Sequence, residues 1–266
     1  MREFGKALLL VSGIAAGCAS GPPTPTAALK AELAPSGTLR VAVFTGNPVI
    51  GSKGKAPGEV SGTTARMGRE LASRAGLRVT MIEYTAVGKM VEDARSGAWD
   101  IAVVAFDPAR RDVIDFAPPH MVVDLTYLVA PGSTTRNVAD ADQPGVRIAA
   151  ARGAATALYL ERNLKAAKVV TADNEPAAFE MLREGKADAL AQNRFLLLGL
   201  SERLPGSRVL EDRFAAAEMT IVLPKGRSAA LKYVSEFVEQ SKRSGLVAQA
   251  IAEAGLRGVS VAPAAP

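Results

Sequence analysis

The chain has 266 residues, of which 48% are hydrophobic and 22% charged, with a formal net charge of +5 and a single cysteine. That length predicts one or two domains whose core needs no disulfide staples. The basic excess is spread along the chain in runs no longer than a pair such as Arg110-Arg111, which argues against a nucleic-acid interface built on a basic stripe.

The first residues have the three-part layout of a secretory signal peptide. Arg2 and Lys6 precede the apolar stretch Ala7–Ile14, which is too short to span a bilayer, and small residues lead to Cys18. Ala15-Ala16-Gly17-Cys18 is similar to a lipobox, in which the cysteine is lipidated and becomes the new N-terminus. Cleavage after Ala19, which would leave a soluble periplasmic protein, is the alternative. Residues 1–18 are expected to be the signal and residues 19–36 a flexible tether.

The folded part begins near Gly37. Thr38–Phe44 alternates like a strand and breaks at Thr45-Gly46-Asn47-Pro48. A helix follows from Thr64, with Met67, Leu71 and Ala75 on one face and Gly76 as its stop. Leu77–Met81 reads as a strand. Val87, Met90, Val91 and Ala94 mark a helix that ends at Gly97, and Ile101–Val104 is apolar enough for a strand buried on both faces. The second half repeats the alternation: strand Arg147–Ala150, helix Ala155–Leu164 and strand Lys168–Val170. Asn174-Glu175-Pro176 then opens a helix carrying Phe179 and Leu182, and strand Ala187–Ala191 follows. Met219–Leu223 is expected as a strand, Ser228–Ser241 and Leu246–Ala254 as helices, and Pro263–Pro266 as a disordered end. Alternating strands and helices imply doubly wound parallel sheets. The segments 94–102 and 182–190 each run from a helix end through a glycine stop to Asp100 or Asp188 at a strand start, as two lobes of related build would.

Catalytic signatures are sparse. His120 is the only histidine, and a lone histidine beside Pro118-Pro119 is more often structural than a ligand or base. No His/Cys cluster suggests a metal, no motif suggests a cofactor, and no serine or cysteine stands in a nucleophile motif. Gly46 and Gly51 have phosphate-loop spacing, but Ser52-Lys53 follows in the wrong order. What remains is the run from Phe106 and Asp107 through Arg110 to Pro118, placed after the carboxyl end of a buried strand, where open α/β sheets bind ligands. An arginine there can grip a carboxylate through two parallel hydrogen bonds. A surface ion pair with Asp107, Asp112 or Asp115 is the alternative.

With Gly37–Ala42, Asn47-Pro48, Gly97–Ala102 and Pro108-Ala109-Arg110 followed by Asp115-Phe116-Ala117-Pro118, the chain resembles the family 3 extracellular solute-binding proteins, the polar amino-acid type, from about Gly37 to Leu256. The resemblance implies an α/β fold of two doubly wound lobes joined by two crossover strands, the type II periplasmic binding fold. The expected crossovers lie near Tyr127–Gly132 and Glu218–Pro224. Lobe 1 would take residues 37–128 plus 219–262, and lobe 2 residues 129–218.

By the same resemblance Arg110 clamps a ligand carboxylate, with Thr45, Asn47, Phe106 and Asp107 around it. Gly153, Ala154 and Thr156 form an anion-holding helix start, and Asn193 stands where amino-acid binders carry the aspartate that pairs an α-ammonium. The departures are the neutral Asn193, Ala154 and Ala155 without hydroxyls, His120 in place of a tyrosine, and Gly46 and Val87 near usual aromatic positions. They point to an acid without an α-amino group, a small neutral polar compound, or a chain that has lost its ligand. The implied partners are a small-molecule ligand and an inner-membrane ABC permease, with no nucleic acid, the membrane reached only through a lipid on Cys18, and the protein a monomer. The rivals are a periplasmic dehydratase-like enzyme and a ligand-sensing lipoprotein that feeds no transporter.

Overall fold

The computed structural model of the protein describes residues 25–54, 56 and 59–265. The expected signal peptide and Cys18 lie outside the described residues. The chain forms helix α1 (Ala27–Leu33), strand β1 (Thr38–Phe44), the short strands β2 (Ser52–Lys53) and β3 (Val60–Ser61), α2 (Thr63–Ala75), β4 (Arg78–Tyr84), α3 (Val87–Glu92) and β5 (Ile101–Ala105). β6 (Ile114–Val129) leads to β7 (Arg147–Ala151), α4 (Ala155–Asn163), β8 (Lys168–Ala172), α5 (Glu175–Arg183), β9 (Ala189–Asn193) and α6 (Arg194–Glu202). The last elements are β10 (Arg208–Val209), β11 (Ala215–Pro224), α7 (Ser228–Arg243), α8 (Leu246–Glu253) and β12 (Val259–Val261).

The strands run β4-β1-β5-β11-β6-β9-β7-β8, with β10 and β12 added to β6. β1 pairs in parallel with β4 and β5, and β7 in parallel with β8 and β9. Between these two parallel groups lie the antiparallel strands β6 and β11, which carry the chain from one lobe to the other and back.

Each lobe is a sheet covered on both faces. In the first, Met67 and Leu71 from α2, Met90 from α3, Val234 and Phe237 from α7 and the fully buried Trp99 share one core. The Trp99 indole N–H is satisfied by the Met90 carbonyl at 2.8 Å. In the second lobe, β9 alternates between two clusters. Ala189 and Ala191 face Ile148, Ala157 and Leu160, while Leu190 faces Phe179, Leu182 and Leu197.

The two similar segments noted in the sequence form the same device twice. Asp100 accepts from the backbone N–H, Nε and Nη2 of Arg40 at 2.9, 3.0 and 2.8 Å, and its own N–H donates to the Arg40 carbonyl. Asp188 does the same with Arg147 at 2.8, 3.1 and 2.9 Å. Each fork ties the start of the lobe's first strand to the start of the strand beside it.

The structure departs from expectation at four places. The segment expected as a tether up to residue 36 contains α1, which is capped by Thr26, buries Leu33 and packs on α7. The first crossover is the whole of β6 rather than Tyr127–Gly132. Its two prolines sit where the register shifts opposite Thr220, so their missing N–H groups interrupt no regular ladder. α6 was not expected; its run of leucines has no polar alternation to mark a helical face, and its start is set by the Asn193 side chain accepting from Leu196 N–H at 2.8 Å. Residues 262–265 lie against β6 and α7: Ala262 N–H donates to the His120 carbonyl, and Lys242 Nζ donates to the Pro263 carbonyl at 2.7 Å, while Pro266 lies outside the described residues.

Candidate functional site

A cavity of about 60 Å³ lies between the lobes at the carboxyl ends of β1 and β5. Phe44, Asn47, Ile50, Ala105 and Arg110 line it from the first lobe. Ala154, Thr156, Glu175, Gln192 and Asn193 line it from the second, and Leu125 and Met219 of the crossover strands form its floor.

Arg110 closes a single 3-10 turn whose geometry begins at Asp107, where the side chain caps Ala109 N–H at 2.8 Å and Pro108 fixes the first turn. The turn aims the guanidinium inward, where the residue is 5% exposed. Nη1 donates to the Ala105 carbonyl at 2.9 Å, and Nη2 crosses the cleft to the Gly153 carbonyl at 2.8 Å. Burial pulls its pKa down to about 10, with Asp107 opposing that fall, so it stays cationic at neutral pH. A guanidinium has five N–H donors, and protein carbonyls take two of them here.

Gly153 faces the first lobe by backbone alone. Its φ of 69° suits glycine, and a Cβ there would lie 3.4 Å from the Gly88 Cα of α3. Two glycines therefore meet where the lobes touch, which brings the Gly153 carbonyl within reach of Arg110. Next along the chain, Ala154 caps α4 without a side-chain bond, and Thr156 has a buried hydroxyl with no partner in the protein. The hydroxyl absent at Ala154 and Ala155 is thus supplied one position later, at the cavity wall.

Not every expected residue lines this cavity. Asn47 does, with its Oδ1 accepting from Val49 N–H at 3.1 Å to shape the loop. Thr45 instead donates to Glu83 Oε1 at 3.0 Å and stands outside the wall. Phe106 packs edge-on to Phe116 at 5.1 Å. With Asp107 it borders a separate groove of about 350 Å³ shared with Tyr159, Arg162 and Pro263. Asp107 pairs there with Arg162 of α4, so the pairing with a neighbouring aspartate considered for Arg110 is taken up by a different arginine. Asn193 lines the cavity, but its Oδ1 caps α6 and its Nδ2 donates to Gln192 Oε1 at 3.2 Å.

Two polar cavity residues were missed, Gln192 and Glu175. Asn174-Glu175-Pro176 was legible as a helix start, but nothing in that tripeptide says that the first helical side chain turns toward the cleft. Glu175 is 8% exposed, and burial pushes its carboxyl up to about 7.

The model of the bacterial extracellular solute-binding proteins, family 3, matches residues 39–254. The chain belongs to this family. It is 25% identical over 234 residues to the L-cystine-binding protein TcyJ of Escherichia coli, covering 84% of this chain and 87% of that one. It is 24% identical over 220 residues to the cyclohexadienyl dehydratase of Pseudomonas aeruginosa, covering 80% and 81%. Among solved structures, the solute receptor for L-cysteine of Neisseria gonorrhoeae superposes with a TM-score of 0.75 at 21% identity, over 88% of this chain and 99% of that one. The family's type II fold, two lobes on paired crossover strands, is the fold described above. No helix among the described residues is long and apolar enough to cross a membrane.

Proposed function

We propose that the protein is the exported binding component of an ABC uptake system, lipid-anchored through Cys18 and monomeric, and that it closes its lobes on a small carboxylate-bearing ligand and delivers it to an inner-membrane permease. The lobes are taken as residues 37–128 plus 219–262 and residues 129–218. The observation that carries this reading is Arg110: a buried cation inside the interlobe cavity whose one guanidinium holds carbonyls of both lobes. A ligand that completes such a bridge binds the closed form better than the open one, and that difference in affinity is what drives closure. The cystine-binding relative supports an amino acid or a related organic acid as the ligand class.

The test is a thermal-shift screen against amino acids, hydroxy acids, keto acids and small amides, repeated with Arg110→Ala. Ligand at 100 times its Kd adds about 2.7 kcal/mol. A shift with one class that vanishes in the variant supports the reading. No shift across the panel sinks it and favours a sensing lipoprotein or a lost ligand.

A further inference from the structure

The cavity holds one negative group to set against Arg110, and it comes from an unexpected element. Asn193, at the end of β9, carries no charge, and both ends of its carboxamide are engaged, Oδ1 with the first turn of α6 and Nδ2 with Gln192. Glu175, the first residue of α5, reaches the same wall beside Gln192 and Asn193. The residue is 8% exposed, and among the described residues no cationic side chain pairs with it. Among the described residues the other buried carboxylates have partners: Asp100 has Arg40 and Arg227, and Asp107 has Arg162. A carboxyl taken out of water without a counter-charge is costly, and the common remedies are a proton or a cationic ligand.

We propose that Glu175 is the specificity-determining residue for a cationic amine on the ligand, taking the place of the missing charge at Asn193. This inference rests on the carboxylate-binding reading of Arg110. The ligand class is then a compact zwitterion, its carboxylate held by Arg110 from the first lobe and its ammonium by Glu175 from the second. Gln192 and Thr156 supply neutral hydrogen bonds beside it. Because the two opposite charges come from different lobes, one molecule carrying both of the ligand's charges pulls the lobes together. The rest of the wall, including Phe44, Ile50 and Val104, is apolar and suits an aliphatic remainder. The raised carboxyl of Glu175 agrees with this: without an amine beside it the group keeps a proton up to near neutral pH, and a bound amine displaces that proton.

The test is calorimetric titration of the exported protein with matched pairs that differ only in the amine: alanine against propanoate, 2-aminobutyrate against butyrate, valine against 3-methylbutanoate. The expected result is at least one pair in which the amino acid binds 100-fold tighter or more, with the preference reduced to within about threefold in Glu175→Gln while affinity for the deamino acid is held or improved. The wild-type pairs stand without the variant should it fold poorly. Deamino acids binding as tightly as amino acids in the wild type, or a preference that survives Glu175→Gln, overturns the assignment of Glu175 and leaves the Arg110 reading intact. If neither member of any pair binds, the carboxylate reading of the site fails and takes this inference with it.

Discussion

Arg162 grips Asp107 across the lobes with both ends of its guanidinium, Nη1 to Oδ1 at 3.2 Å and Nη2 to Oδ2 at 2.7 Å. Asp107 follows β5 in the first lobe and Arg162 lies on α4 in the second, so the pair joins the lobes and is expected to break when they part. The Asp107 side chain is 3% exposed and the Arg162 side chain 44% exposed. Removing Arg162 leaves a buried carboxylate without its cation, which is the expensive way to break such a pair. With the arginine half in water, a cost of about 1–2 kcal/mol is expected, borne by the closed state alone. Arg162→Ala is therefore predicted to raise the ligand Kd by about tenfold and to enlarge the ligand-free radius of gyration in small-angle scattering. An unchanged Kd would mean that the pair contributes nothing to closure.

Arg110 serves the ligand and the fold at once, and the two roles separate by substitution. Arg110→Lys keeps a cation in the cavity but not the planar fork that reaches the Ala105 and Gly153 carbonyls together. Ligand affinity is expected to drop by at least tenfold, on the order of 1.4 kcal/mol or more. Arg110→Ala is expected to abolish detectable binding by calorimetry. If Arg110→Lys binds like the wild type, the arginine is acting as a point charge and the two-pronged grip is not needed.

The repeated forks predict unequal losses from equivalent substitutions. Asp100 has a fully buried side chain held by Arg40 and Arg227, whereas the Asp188 side chain is 45% exposed with Arg147 as its ion-pair partner. Asp100→Ala is expected to cost about 3–5 kcal/mol, since it strands two arginines at a buried site, and Asp188→Ala about 1 kcal/mol. Chemical denaturation of both variants measures this directly. Equal losses would show that burial does not set the energetics of the fork.

This asymmetry also marks how far the sequence can be read. The glycine stop followed by aspartate was visible at residues 94–102 and 182–190 because a helix end and a strand start are local events. The arginine that each aspartate holds was not visible, because it lies 60 residues away in one case and 41 in the other. The site follows the same rule. Arg110, Asn47, Ala154, Thr156 and Asn193 were placed by motif, and they line the cavity. Glu175 was not visible because its place in the wall depends on what α5 packs beside, and Thr45 and Phe106 stand outside this wall. The extent of β6 was not visible either, since Pro118-Pro119 fits a strand only at the register shift opposite Thr220.

His120 makes stability depend on acid. It is a fully buried residue of β6, both ring nitrogens lack partners in the protein, and burial, with a smaller effect from Lys242, lowers its pKa to about 4. The folded state therefore holds fewer protons than the unfolded chain between about 4 and the ordinary 6.5. Its contribution is present above pH 6.5 and is lost as the pH falls toward 4, by up to about 3 kcal/mol. His120→Leu is expected to flatten this limb of the stability–pH curve. Wild-type and His120→Leu curves that run parallel between pH 6.5 and 4 would show that the imidazole takes up its proton as readily folded as unfolded.

Glu175 gives the opposite slope and ties it to the ligand. Its folded pKa is raised to about 7 from an ordinary 4.5, so in the ligand-free protein its contribution is complete below pH 4.5 and is lost as the pH rises through 7. Arg110 is the one other ionisable side chain lining the cavity, and with a pKa near 10 it does not titrate in this range. An amine-bearing ligand needs the carboxylate form, so its affinity is expected to climb about tenfold per pH unit from pH 5 toward 7 and then level off. Binding in that range should release close to one proton, which calorimetry in buffers of different ionisation enthalpy detects. Glu175→Gln should bind with no such slope and no proton release. A wild-type affinity that stays flat from pH 5 to 8 would mean that Glu175 is already ionised in the free protein, or that it never meets the ligand. Comparing the stability slope of the free protein with that of the Gln variant separates these, because only a carboxyl kept protonated by burial loses stability as the pH rises.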